Sequence, residues 1–368
     1  MKVLHINRNY LTSSLHQMML NHLDGVENEH VVFAPTDNAE KAVVKPNSNV
    51  IVSECFSNLD RYFYYHKQRK ILRAIEKNIK VGEFDCIHAY TLFTDGNCAY
   101  SLNRKYGIPY IVAVRNTDVN DFFRRLPFLR QRGIEIMKNA RKIFFLSESY
   151  KEEVFRKYIC AENQQLLESR IEIIPNGIDD FWINERPKEV KALSDKHHIK
   201  LVYAGRIDRN KNIPTIQKAM ELLREEGIIA SLTIVGKIDN KNEFKRIIED
   251  KHTEYIGPQP KEKLIDIYRQ SDIFVMPSFT ESFGLVYAEA MSQGLPVIYT
   301  RGQGFDRQFE EGVVGYHVTA SSPRDVANNI VKILKNYDCL AKNVVACSHK
   351  FNWNDISERY QKIYETLI

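Results

Sequence analysis

The chain has 368 residues, 43% hydrophobic and 27% charged, and a net charge of +5 at neutral pH. That length suits two globular domains of about 150 residues each, and the composition is neither fibrous nor disordered. No apolar run approaches the ~18 residues of a membrane-spanning helix, the six scattered cysteines read as reduced thiols rather than a zinc site or disulfide framework, and the small net charge without a recognised motif argues against nucleic acid as a partner.

The N-terminal MKVLHINRNY enters directly into a strand pattern without the apolar core of a signal peptide, so a cytoplasmic protein is expected. Apolar runs at 2–7, 30–35, 49–54, 84–90, 109–114 and 142–147 read as buried strands, and stretches such as 61–80 and 95–106 between them have helical spacing. That alternation predicts a parallel, doubly wound α/β sheet. Two stretches are strongly basic. Residues 61–80 hold seven Lys or Arg against one acid, and 121–142 hold seven against two, both interleaved with Phe, Tyr, Leu and Ile. Such a mixture fits either a solvated helix face with an ordinary core side or a helix lying on an anionic membrane.

The rhythm breaks at IIPNGIDDFWI (173–183), where Pro175 and Asn176-Gly177 mark a turn ahead of a polar stretch. The expected boundary lies here, with an N-terminal domain at 1–180 and a C-terminal domain at 181–350. Strand patterns resume at 200–205, 230–236, 254–257, 272–278, 296–300 and 315–318, separated by helical patterns at 213–227, 241–251, 260–270, 283–293 and 323–336. Ligands of open α/β sheets sit beyond the carboxyl ends of strands, so the strand-to-helix loops are the places to look for chemistry.

One such loop is PSFTESFGLVYAEAMSQG (277–294). Glu281 precedes the start of a helix near Phe283, Gly284 would let a ligand approach the backbone, and Glu289 lies one turn deeper. Helix starts offer free N–H groups and partial positive charge to phosphate, and a carboxylate suits the two hydroxyls of a ribose. The same spacing would also arise from a helix-start acid and an unrelated surface acid. A second loop, YAGRIDRNKN (203–212), places Arg206 and Lys211 at the same edge, where cations suit a diphosphate leaving group.

GRIDRNKN followed by PSFTESFGLVYAEAMSQGLPV resembles the retaining nucleotide-sugar glycosyltransferases of the GT-B fold, family 4. IIPNGID resembles that family's hinge, and EYIGPQPKEKLIDIYRQSDIFVMPS its nucleobase-side segment, so the resemblance covers most of 171–320. It implies two Rossmann-like domains facing across a cleft, the second binding the donor, with the last helix, 351–368, returning to the first. It implies that Arg206 and Lys211 neutralise the donor diphosphate and that Glu281 meets the transferred sugar. Backbone N–H groups of Phe283, Gly284 and Leu285 would hold phosphate and sugar, Glu289 the ribose, and the backbone at Ile256 the base. No cofactor is implied beyond the donor substrate, for which a UDP-sugar is the first expectation. No D-x-D triplet occurs, in keeping with a family that dispenses with a metal.

The first half departs from the pattern. The loop after the first strand, NRNYLTSSLHQ, lacks the family's glycines, leaving Ser13 and Ser14 as donors. In AVRNTDVND, Arg115 stands where many relatives have a histidine, with Asp118 three residues on. His88 reads either as a site residue or as a satisfied histidine at a strand end. The expected activity is transfer of a sugar to a glycan, polysaccharide or lipid-linked acceptor, with peripheral contact to an anionic membrane through 61–80 and 121–142. A nucleotide-sugar epimerase of the same fold and a non-catalytic binding protein are the competing readings.

Overall fold

A computed structural model describes residues 1–23, 28–43, 48–193 and 195–367. Ser194, in the polar stretch after the hinge, and Ile368, at the end of the expected last helix, lie outside the described residues. The chain divides into two compact units, one of residues 1–177 with 353–368 and the other of 178–352.

In the first unit, β1 (Lys2–Ile6), β2 (Glu29–Thr36), β3 (Val50–Glu54), β4 (Cys86–Ala89), β5 (Tyr110–Val114), β6 (Lys142–Phe145) and β7 (Ile171–Ile173) form a parallel sheet in the order β3-β2-β1-β4-β5-β6-β7. The order reverses between β1 and β4, so the loops leaving these two strands diverge and open a crevice at their carboxyl ends. Both sheet faces are covered, which is why β4 and β5 are apolar or neutral at every position and buried throughout. One face packs under helices 64–78, 95–106, 130–139 and 148–158 through Ile71, Ile75, Leu102, Ile136 and Val154. The other packs under helices 14–23 and 353–365, where Trp353, Ile356, Tyr360 and Tyr364 meet Val3, Met19 and Ile111. Trp353 and Tyr360 are thus core residues of this unit.

The short strand β7 escapes the sequence pattern, because IEI is too brief to show a period and runs directly into the turn at Pro175. The basic segments also differ from simple amphipathic helices. Within 61–80, Ile71 and Ile75 are buried in the core, and the exposed aromatics gather at the helix start instead: Tyr62, Phe63 and Tyr65 are all more than half exposed. Segment 121–142 is broken into a π-helical turn (Asp118–Phe123), a 3-10 turn (Pro127–Leu129) and a helix (Arg130–Asn139). Pro127 lacks the N–H that would continue the preceding turn.

In the second unit, β8 (His198–Ala204), β9 (Ile229–Val235), β10 (Thr253–Tyr255), β11 (Ile273–Val275), β12 (Val297–Thr300) and β13 (Gly315–Val318) form a parallel sheet in the order β10-β9-β8-β11-β12-β13. The topology repeats that of the first unit, and β8 and β11 flank its switch point. Among the described residues, no helix is long and apolar enough to cross a membrane.

Candidate active site

The loops leaving β8 and β11 are stitched together by side chains of the first. After β8, Asp208 caps a short turn by accepting the Lys211 N–H at 3.1 Å. Asn210 then clips the second loop: its Nδ2 donates to the Thr280 carbonyl at 2.8 Å, its Oδ1 accepts the Thr280 N–H at 3.0 Å, and its own carbonyl accepts the Phe279 N–H at 2.8 Å. Asn212 adopts the left-handed conformation (φ 56°) and spends its amide on the carbonyls of Pro277 (3.1 Å) and Ala320 (2.6 Å). Asparagine tolerates that backbone better than most residues because its short side chain can bond locally.

This stitching brings Lys211 and Glu281 together. The ammonium donates to Glu281 Oε2 at 2.5 Å, and both side chains are only 12% exposed. Glu281 is also fixed through its backbone, its N–H donating to Gln303 Oε1 at 2.9 Å and its carbonyl accepting from Gly304 at 3.2 Å. A side chain at Gly304 would put a Cβ 1.8 Å from the Ser282 carbonyl oxygen, so only glycine permits this approach.

Gly284 follows with φ 76° and caps the helix Leu285–Ser292. A Cβ there would strike the Tyr287 ring at 2.5 Å, which adds a steric reason to the conformational one. The amides of Phe283, Gly284, Leu285 and Val286 have no hydrogen-bond acceptor among the described residues. They form a donor cradle at the positive end of the helix dipole. Tyr287, buried on the same helix, braces the preceding strand end through its hydroxyl to the Met276 carbonyl at 2.6 Å.

Glu289 lies on that helix, half-buried, and no described residue hydrogen-bonds its carboxylate. Burial pushes its carboxyl up to about 7, with a smaller contribution from the Asp179 carboxylate. Asp179, from the NGID turn, is in turn held by Lys261 at 2.7 Å. Arg206 does not join the Lys211–Glu281 pair. It is 67% exposed, and its guanidinium lies 3.5 Å from Asp239. Ile256 is partly exposed, its N–H donating to the Ile234 carbonyl and its carbonyl accepting from Gln259.

In the first unit the picture differs. Asp118 is 1% exposed, and its carboxylate accepts the N–H groups of Leu92 (3.0 Å), Phe93 (3.1 Å) and Arg115 (2.8 Å). It ties the loop after β4 to the loop after β5. The expectation that it faces a ligand is revised accordingly: it is a positioning residue for the backbone. Burial nevertheless raises its carboxyl to about 6, outweighing those three donors. Arg115 is half-buried, donating from Nε to the Tyr90 carbonyl at 3.3 Å and from Nη1 to Asn176 Oδ1 at 2.9 Å, so it anchors the turn that ends the unit. Ser14 begins the helix Ser14–Leu23 and is exposed, while Ser13 is half-buried in extended backbone just before it.

His88 belongs to a buried cluster. Register places His5 beside His88 on neighbouring strands. His88 Nδ1 lies 2.7 Å from Tyr364 Oη, His5 bonds His30 at 2.8 Å and Tyr90 at 3.0 Å, and His88 stacks on Tyr90 at 4.4 Å. His88 is therefore a core histidine, joined to the last helix.

Sequence reasoning missed Asn210, Asn212, Gln303 and Gly304. The signal for the first two was present in RNKN, since asparagines at a strand-to-helix turn serve as local clamps. Gln303 lies in the loop after a different strand, where nothing in the sequence links it to Glu281.

The family profile described as "Glycosyl transferases group 1" matches residues 184–346, and that described as "Glycosyltransferase Family 4" matches 17–180. The chain is 26% identical over 315 residues to a D-inositol 3-phosphate glycosyltransferase of Corynebacterium jeikeium, covering 77% of this chain and 73% of that one. Among solved structures, sucrose-phosphate synthase from Thermosynechococcus elongatus superposes with a TM-score of 0.75 at 19% identity, over 100% of this chain and 98% of that one. HepE of Anabaena in complex with UDP superposes with a TM-score of 0.74 at 15% identity, over 100% of both chains. With two Rossmann-like units of the same strand order and both halves matched, the chain belongs to the GT-B glycosyltransferases of family 4 and is itself a glycosyltransferase.

Proposed function

We propose that the protein moves a sugar from a nucleotide diphosphate sugar, foremost a UDP-sugar, to a hydroxyl of a cell-envelope, polysaccharide or lipid-linked acceptor. On this reading it retains the donor's anomeric configuration, needs no metal, and works in the cytoplasm or at the inner face of the membrane. The observation that carries the proposal is the Lys211–Glu281 pair beside four unengaged amides at one helix start. The amides and Lys211 take the diphosphate, and Glu281 turns to the sugar hydroxyls. Glu289 takes the ribose, the backbone at Ile256 the base, and Arg206 swings from Asp239 to the phosphates. Ser13, Ser14 and Arg115 belong to the acceptor-side unit. The solved neighbour holding UDP supports the nucleotide assignment.

In the transfer, the bond between the sugar's anomeric carbon and the β-phosphate oxygen breaks, and a bond from the acceptor oxygen forms on the same face. The acceptor proton passes to the departing phosphate oxygen, and Lys211, Arg206 and the helix-start amides hold the charge that accumulates there. Glu281 and Glu289 are not the acid–base pair of a glycoside hydrolase.

A thermal-shift panel of UDP, GDP and ADP with their sugars tests the donor class, because a ligand at 100 times its Kd stabilises the fold by about 2.7 kcal/mol. Glu281→Ala is expected to abolish transfer while keeping nucleotide binding, and Glu289→Ala to lose about 10- to 100-fold in nucleotide affinity. Equal affinity in both variants contradicts the assigned roles. Release of free nucleotide diphosphate without any acceptor points to epimerase-type chemistry instead.

A specific surface favours a membrane-bound acceptor. Leu59, Tyr62, Phe63, Tyr65 and Phe128 are each at least half exposed, with Arg61, Arg69, Arg124 and Arg125 exposed among them. The two segments meet where Tyr64 packs on Phe122, ring centroids 6.1 Å apart. Exposed aromatics among cations fit an anionic bilayer interface. Co-sedimentation with phosphatidylglycerol vesicles, lost on Phe63→Ser/Phe128→Ser, is expected; equal sedimentation of wild type and variant speaks against it.

A further inference from the structure

Glu281 is held at its backbone by a turn from a different strand, and a histidine holds that turn. Residues 302–306 leave β12 and fold back on the Glu281 loop. There Gln303 Oε1 accepts the Glu281 N–H at 2.9 Å, and the Gly304 N–H donates to the Glu281 carbonyl at 3.2 Å. The turn closes on Asp306, whose Oδ2 accepts the Gly302 N–H at 2.7 Å and whose own N–H donates to the Gln303 carbonyl at 2.9 Å. Asp306 is 4% exposed, so its carboxylate depends on protein partners rather than on water.

Its other oxygen meets His317, on the edge strand β13. The ring's Nδ1 lies 2.9 Å from Asp306 Oδ1 and its Nε2 3.2 Å from Glu311 Oε2, so it stands between two carboxylates of the loop joining β12 to β13. Register sets His317 beside Tyr299, whose ring centre is 5.2 Å from that of Phe305, the buried residue of the turn. Packing therefore fixes Phe305. Behind Asp306 the structure is open instead: Asp306, Arg307, Glu311, Tyr299 and His317 line a cavity of about 340 Å³, so hydrogen bonds rather than packing set this end of the turn. Arg307, next along, has φ 62°, a left-handed backbone that a side chain disfavours and that persists where its surroundings fix it.

We propose that His317 is a positioning residue for the transfer: by holding Asp306 it sets the 302–306 turn, and through Gln303 and Gly304 it aims Glu281 at the transferred sugar. The inference rests on the reading of Glu281 as the residue that meets the sugar. His317 acts through Glu281 and not by touching the nucleotide sugar. Direction matters here, because a hydrogen bond to a sugar hydroxyl weakens steeply with misalignment. Lys211 draws the Glu281 carboxylate to one side, and the turn supplies the opposing constraint at the backbone. The helix start that would take the phosphates is braced separately, by Tyr287 on the Met276 carbonyl. Losing His317 should therefore affect the sugar and not the nucleotide.

Calorimetric titration of the full chain with UDP and with UDP-glucose tests it, read as the ratio of the two dissociation constants, which isolates the sugar's contribution. His317→Leu, which keeps the bulk and removes the ring nitrogens, is expected to weaken UDP-glucose about 10-fold while leaving UDP unchanged. Glu281→Ala is expected to shift the ratio at least as far. Adding His317→Leu to Glu281→Ala should shift it no further, because the residue through which His317 acts is gone. His317→Asn, whose amide nitrogen stands near the Nδ1 position, is expected to restore most of the wild-type ratio. His317→Gln, which reaches toward Glu311 instead, is expected to behave as His317→Leu. An unchanged ratio in His317→Leu, including one reached by equal losses for UDP and UDP-glucose, overturns the inference, as does a further shift in the double variant. If His317→Leu does not fold, the Asn and Gln variants decide, and equal ratios in the two overturn it. A wild type that binds no UDP, or an unchanged ratio in Glu281→Ala, instead removes the functional reading beneath it.

Discussion

The two sheets share a topology, yet their carboxyl edges are built in opposite ways. At the edge of the second unit, Asn210, Asn212, Gln303 and Lys211 each tie one loop to another through one or two side-chain bonds. At the edge of the first, one buried carboxylate gathers three amides, while the Gln68 Nε2 and one oxygen of Asp95 have no hydrogen-bond partner among the described residues. Many weak ties make a rigid cradle that tolerates losing any single one. A single central tie concentrates the load, and the unsatisfied groups beside it carry a cost that no tie relieves.

The largest expected effect follows from that concentration. Asp118→Ala leaves the amides of Leu92, Phe93 and Arg115 without their acceptor in a buried site, and each orphaned group costs about 1–3 kcal/mol. A loss of about 3–6 kcal/mol in urea unfolding is expected, with Asp118→Asn in between because it keeps one carbonyl oxygen. A loss under about 1 kcal/mol would mean that the loops after β4 and β5 hold together without it.

Much of this architecture was legible in the sequence. Every long apolar run became a strand because both faces of each sheet are covered, so burial in both directions leaves an uninterrupted apolar signal. The Glu281/Glu289 spacing and Lys211 of the loop after β8 could be singled out because helix starts and strand ends have fixed chemistry, while Asn210 and Asn212 beside it were passed over. What escaped was non-local. Asp118 stands in a polar run that looks like a solvent loop, and only the fold brings Leu92 and Phe93 within reach of its carboxylate. Lys67 sits in a basic segment where a sequence offers no sign that one cation of seven is buried. Arg206 and Lys211 look equivalent five residues apart, but Asp239, from a different strand's loop, draws Arg206 away.

Acid should weaken the first unit more than the second. His5, His16, His30 and His88 are held neutral there, with His16 lowered to about 3 and His30 to about 4 by burial, and His5 and His88 well below the usual range for the same reason. A histidine whose folded pKa lies below its unfolded one costs nothing above about 6.5; as the pH falls further, the unfolded chain binds protons that the fold refuses, and stability drops. Asp95 and Asp118, raised by burial to about 7 and about 6, act with the opposite sign, because the folded chain holds their protons down to the unfolded value near 3.8. In the first unit, four histidines against two aspartates leave about two protons taken up on unfolding between pH 6 and 5, and Glu289 of the second unit, raised to about 7, offsets about one of them, hence about 1–2 kcal/mol per pH unit for the whole chain. Melting temperatures measured across pH 7 to 5 are expected to fall most steeply below 6.5, and the slope should ease by about one proton in His30→Asn. A flat profile over that range would mean that these rings are already charged in the fold.

The smallest effect belongs to the second edge and tests its redundancy. Asn210→Ala removes the two side-chain bonds to Thr280, at 2.8 and 3.0 Å, but leaves the backbone bond from Phe279 to the carbonyl of residue 210 and the Lys211–Glu281 pair in place. Because Asn210 and Thr280 are near solvent, water replaces much of what is lost, and a global cost of about 1 kcal/mol is expected. The local consequence should be larger than the global one. Amides of residues 279–282 are expected to exchange faster, since the loop loses its clip while the core keeps its packing. If exchange accelerates equally across β8 and β11, Asn210 supports the sheet itself, and the picture of a cradle held by many independent ties gives way to one held by a single residue, as in the first unit.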